Sequence, residues 1–108
     1  MIVKSAASRA AFSLEKMGKV SLGAGAHLYA GLNCLLPGQE HSPHVHGDQD
    51  KMYLVLEGTG LASCGGEQAA VGPGDLVLAP AGMPHGLKNT GDVNLVALVV
   101  FSPPPAKS

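Results

Sequence analysis

The chain has no tryptophan, and only two tyrosines and two phenylalanines in 108 residues. With aromatics at 4%, the core must be built mainly from Val, Leu and Ala. That scarcity also excludes a broad stacking platform for single-stranded nucleic acid. Charge is sparse as well. Charged residues make up 14%, the net charge is −1, and the seven Lys and Arg are scattered from Lys4 to Lys107. No basic face is available to attract nucleic acid or anionic lipid over long range. The two cysteines, Cys34 and Cys64, form no CxxC pair. They read as free, buried thiols of a reducing compartment. No segment approaches the roughly 18 apolar residues of a membrane span. Lys4 and Arg9 interrupt the N-terminal stretch where a signal-peptide core would lie. The expectation is a soluble, cytoplasmic protein with neither nucleic acid nor membrane as partner.

What is abundant is glycine and proline, 15 and 8 residues, interleaved with short apolar runs. Hydrophobic residues reach 45%, enough for one packed domain at this length. Residues 1–20 are weakly patterned and read as an N-terminal arm or first strands, with a short helix or an extended arm both open over Ser5 to Met17. From Gly25 the chain reads as β. His27–Leu36 is a long apolar run closed by Pro37-Gly38. Met52–Leu56, Thr59–Cys64, Gln68–Val71, Leu76–Ala79 and Asn94–Phe101 follow, separated by Gly- and Pro-containing turns. The single barrel domain is assigned to residues 21–102, and residues 103–108 to a loose tail. Short strands at near-regular spacing, without a long helix, give an all-β sandwich or barrel. Met52 to Leu56 are all apolar, so both faces of that strand are expected to be covered.

Four of the five histidines lie between residues 41 and 85. His44 and His46 are two apart. On a strand that spacing puts both on one face, about 6.6–7 Å apart. Two imidazoles so placed can converge on one ion with bonds of about 2.0–2.1 Å. His85 is the natural third ligand, because Pro80, Gly82 and Pro84 fix the backbone before it. An HxH alone is a weak signal. The surrounding pattern strengthens it.

That pattern resembles the two motifs of the cupin superfamily. Gly38 is followed by five residues and then His44-Val45-His46, and Gly58 closes the first motif. Gly74, Pro80, Gly82, His85 and Asn89 complete the second. Together they run over about half of the chain. The resemblance implies an all-β double-stranded β-helix, or jelly roll, with a site inside the barrel. It implies His44, His46 and His85 as ligands of a divalent metal, structural glycines at tight corners, a structural Asn89, and a homodimer.

The chain departs from the family at its glutamate. Seven residues before Gly58 stands Lys51, preceded by Asp50. Three arrangements fit. In one, Lys51 sits in the pocket beside a three-histidine metal site. In another, a bulge at the strand start swings Asp50 inward as a ligand. In the third, Lys51 disfavours the cation and little metal is held. An ammonium inside would favour an anionic substrate, or serve as an acid or base beside Tyr53, which shares its parity. It can equally snorkel to solvent at the barrel mouth. Lys51 and Tyr53 are thus candidate catalytic residues, and Asp50 a candidate fourth ligand. His41 and His27 read as exposed or structural, Glu40 as a candidate partner of a ligand histidine, Met83 and Pro84 as pocket wall, and Cys34 as a buried thiol.

Histidine ligands suit Zn, Ni, Fe, Mn or Cu. Fold alone does not fix function. The sequence is read first as a metal-dependent enzyme, dioxygenase- or isomerase-like, on a small organic substrate for which an anion is the favoured form. The alternative is a non-catalytic module that binds a small ligand with weak or no metal.

Overall fold

The computed structural model describes residues 1–44 and 47–104, with His44 described by its backbone alone. Nine strands are present among the described residues: β1 Gly18–Ala24, β2 Tyr29–Leu35, β3 Glu40–His44, β4 Asp50–Glu57, β5 Gly60–Cys64, β6 Glu67–Val71, β7 Leu76–Ala79, β8 His85–Lys88 and β9 Leu95–Ser102. A single 3₁₀ turn, Ala6–Arg9, precedes them. Ser5 to Met17 is thus one short turn followed by irregular chain that bends at residues 14–16. No helix among the described residues is long and apolar enough to cross a membrane.

The strands form two antiparallel sheets. One has the order β1-β2-β9-β4-β7 and the other β3-β8-β5-β6. Strands distant in sequence pair in register, as in Leu32↔Leu98 and Leu54↔Leu98. Side chains alternate between the faces of a strand, and here the alternation builds the interior. Leu35, Tyr53, Val55, Val77, Leu95, Ala97 and Val99 from the larger sheet meet Ala62, Val71 and Leu87 from the smaller one in one buried cluster. Lys51, Tyr53 and Val55 of β4 therefore face inward.

The outer face of the larger sheet is also apolar, but only part of it is covered. Leu32, Cys34 and Val96 form a second buried cluster there, packed under Ala7, Ala10 and Phe12 of the N-terminal segment. Cys34 is thus buried outside the barrel, and burial pushes its thiol pKa up, opposed by a backbone hydrogen bond from Ala11. Further along the same face Met52, Leu54 and Leu56 are half-buried, and Leu76 and Leu78 are exposed. The continuous apolar run of β4 was expected to mean cover on both faces; its outer face is in fact partly open.

Three strands escape the sequence pattern, among them the edge strand β3, whose five residues are polar apart from Pro43. β1 begins at Gly18, ahead of the expected start of β structure. It is an edge strand whose two glycines dilute its Val20/Leu22 alternation. β8 is only four residues long and opens on a histidine. Turn chemistry is easier to read. Gly58 closes β4 with φ of 82°, and a Cβ there would collide with the Asn94 backbone. Asn89 is buried and serves as a clamp. Its Nδ2 donates to the carbonyls of Leu35 and Val93 at 2.9 Å each, and its Oδ1 accepts from the Gly91 N–H at 3.0 Å. This is the structural role expected for it.

Candidate functional site in the barrel interior

The candidate site lies between the sheets, and β4 and β8 position its described side chains. Tyr53 and Lys51 project inward from β4, and His85 from β8; all three are at most 2% exposed. The Tyr53 and His85 rings meet edge to face with centroids 6.0 Å apart, joining the two sheets across the interior.

His85 has a defined orientation. Its Nδ1 lies 2.9 Å from the Met83 carbonyl oxygen. A carbonyl can only accept, so Nδ1 carries the hydrogen, and in the neutral ring the lone pair resides on Nε2. That tautomer suits a metal ligand, and a backbone carbonyl is a usual partner for the other nitrogen. The backbone register pairs His44 with His85 across β3 and β8. His46 lies outside the described residues, as does the side chain of His44.

Lys51 is the main surprise of the interior. It is 2% exposed, so the snorkelling arrangement is not adopted. Its Nζ lies 4.7 Å from the ring centroids of both Tyr53 and Phe101. These cation–π contacts replace part of the lost hydration. Burial, reinforced by the positive charge of Lys19, lowers its pKa to about 8. No carboxylate is among the buried polar residues described, which are Asn33, Gln49, Lys51, His85 and Asn89.

Asp50 takes the opposite side. It is exposed, and its Oδ1 accepts the Ala81 N–H at 2.8 Å. β4 pairs with β9 in unbroken register from Asp50 to Val55, with an irregularity only beyond Val55. The bulge that would bring Asp50 inward is therefore absent, and strand parity selects Lys51 for the interior.

Tyr53 is fully buried, and its hydroxyl has no hydrogen-bond partner. Burial, and then the nearby Cys64, push its pKa upward, so it stays a neutral donor at ordinary pH. Cys64 is half-buried; its thiol donates to the Leu78 carbonyl at 3.3 Å and touches the Met83 sulfur at 3.4 Å. Met83 thus lies beside the strand that carries His85, while Pro84 is exposed. His27 is exposed, as expected. His41 is half-buried, further inside than expected, and lines a groove of about 530 Å³ with Lys16, Lys19 and Glu40.

Phe101 and Asn33 complete this interior, and neither stands out in the sequence. Phe101 reaches Lys51 because β9 pairs with β4, Lys51↔Phe101. Asn33 is a carboxamide within an apolar run, a signal that was available. It is buried, and its Nδ2 has no hydrogen-bond partner.

Comparison with known proteins agrees with this topology and these motifs. Residues 31–101 match the cupin domain family, so the chain belongs to the cupins. It superposes on TT1209 from Thermus thermophilus with a TM-score of 0.91 and 38% identity, over 97% of this chain and 100% of that one. It is 34% identical to a gentisate 1,2-dioxygenase of Ralstonia sp over 92 residues, 84% of this chain and 24% of the relative. It is 32% identical to a 5-nitrosalicylic acid 1,2-dioxygenase of Bradyrhizobium sp over 73 residues, 68% of this chain and 35% of the relative. The chain spans about half the length of two further relatives, each 36% identical over 61 residues.

Proposed function

We propose that this cupin holds a divalent metal on His44, His46 and His85 and acts as a metal-dependent enzyme, dioxygenase- or isomerase-like, on a small organic molecule. The observation that carries this reading is the His85 ring, buried in the interior and oriented by the Met83 carbonyl so that Nε2 bears the lone pair. The pairing of His44 opposite His85 supports it. So does the similarity to two dioxygenases. A metal so bound would supply Lewis acidity, and a redox-active one would also supply oxygen chemistry. Asp50 is left out of this ligand set, since its carboxylate caps Ala81 on the outside. Tyr53, neutral and buried, is the group able to donate a hydrogen bond to a bound substrate.

A second reading has a specific observation in its favour. Lys51 is a buried cation without a buried carboxylate among the described residues, and a cation repels a cation. This favours a non-catalytic module that binds a small ligand with little metal. Metal analysis of protein purified without a histidine tag, beside a His44→Ala/His46→Ala double variant, separates the two. The enzyme reading expects near-stoichiometric metal in the parent and loss in the variant, and oxygen uptake or isomerisation with enediols, diketones or gentisate. Protein that stays metal-free even after loading with excess Zn, Ni, Fe, Mn or Cu leaves only the binding module.

A homodimer belongs to the same proposal. The uncovered outer face of β4, β7 and β9 is apolar, and cross-strand rows such as Val100–Met52–Leu78 carry no charge. A second copy can bring these apolar rows together about a two-fold axis, with the exposed Asp50 at the margin of the patch.

A further inference from the structure

The interior of this barrel is furnished with donors. Lys51 contributes an ammonium, Tyr53 a hydroxyl and Asn33 a carboxamide N–H. All three belong to the five-stranded sheet. Lys51 and Tyr53 are successive inward positions of β4, and Asn33 shares the inward parity of Leu35 on β2. They are 2%, 0% and 4% exposed. Tyr53 Oη and Asn33 Nδ2 are buried without hydrogen-bond partners, and Lys51 Nζ is flanked by two aromatic rings and by no buried carboxylate among the described residues. Buried donors left unmatched are costly, and an uncompensated buried charge is more so. A ligand that brings acceptors and a negative charge removes both costs. At the sheet edge, Lys19 pairs with Asn33, and its groove holds Lys16 as well, against one acid, Glu40.

We infer that Lys51 and Tyr53, whose ammonium and ring centroid lie 4.7 Å apart, form a carboxylate-binding patch inside the barrel, and that the ligand of this protein is a small organic acid. The patch lies in the same interior as the proposed metal site but does not depend on the metal. Lys51 then takes the role of charge partner for the ligand, where the family pattern has a metal-binding acid.

The test uses chelator-treated, metal-free protein titrated with acetate, malonate and benzoate, followed by calorimetry and by NMR shifts. At least one acid should saturate the protein, and benzamide, the neutral isostere of benzoate, should not compete. Lys51→Met should weaken binding by about tenfold or more, since the contact is charge-assisted. Tyr53→Phe should weaken it by less, and Lys51→Arg should restore part of it. The His44→Ala/His46→Ala variant should keep anion binding whether or not the parent holds metal, so this inference and the metal reading fail separately. Binding that is absent for all three acids, or that survives Lys51→Met unchanged, overturns the patch. Should Lys51→Met not fold, undiminished binding in both Lys51→Gln and Tyr53→Phe overturns it equally.

Discussion

Lys51 sets the energetics at the scale of single residues. Its pKa is lowered from 10.5 to about 8, which corresponds to a cost of about 3 kcal/mol for burying the charged form. The two ring contacts return part of that cost. Lys51→Met keeps the volume and removes the charge, so the variant should be more stable at neutral pH by about 1–3 kcal/mol. Chemical denaturation checks the magnitude. The pH dependence checks the cause. Below about pH 8 the lysine is charged in both folded and unfolded chains, and the cost is present in full. Between there and 10.5 the unfolded chain binds the extra proton, so stability rises with pH. Cys34, Cys64 and Tyr53 act in the other sense, the thiols above about pH 8.5 and the phenol higher still, because each ionises in the unfolded chain before it does in the fold. The stability of the parent relative to Lys51→Met should therefore climb from about pH 7.5 to about pH 9.5, the thiol and phenol contributions being common to both proteins. An equal climb in both proteins would assign it to another group. The identity of the residue at this position was plain in the sequence. Its direction was not, because an unbroken apolar run such as Met52–Leu56 hides the period of two.

At the scale of elements, short strands are held by what joins them. β8 has four residues and depends on its ends. Asn89 ties the end of β8 to Leu35 of β2 and to the turn that leads into β9. Asn89→Ala leaves the carbonyls of Leu35 and Val93 and the N–H of Gly91 without their partner, and should cost about 2–4 kcal/mol. A urea denaturation midpoint unchanged from the parent would rule out this clamp. The second motif makes Asn89 and its turns legible in the sequence. β1, β3 and β8 were not legible as strands: β1 is an edge strand with weak alternation, β3 is an edge strand of polar residues interrupted by Pro43, and β8 is too short to show alternation.

At the scale of the whole molecule, the two faces of the larger sheet have different fates. The inner face closes on the smaller sheet and makes the site. The outer face is capped at one end by the N-terminal segment and left apolar at the other, where Leu76 and Leu78 are 58% and 60% exposed. Placing a charge there, as in Leu78→Lys, should convert a dimer to a monomer with the fold intact, as sedimentation velocity and circular dichroism would report. A parent protein that is already monomeric removes this interface. The sequence by itself determined the all-β class, the turns and the two motifs that resemble the cupins, because glycine, proline and histidine spacing are local properties. Only the tertiary structure decided that Lys51 rather than Asp50 enters the interior, that Phe101 and Tyr53 enclose its ammonium, and that Asn33 faces the same space. Those facts depend on which strands pair and in which register, and β4, β9 and β2 are brought together from distant parts of the chain.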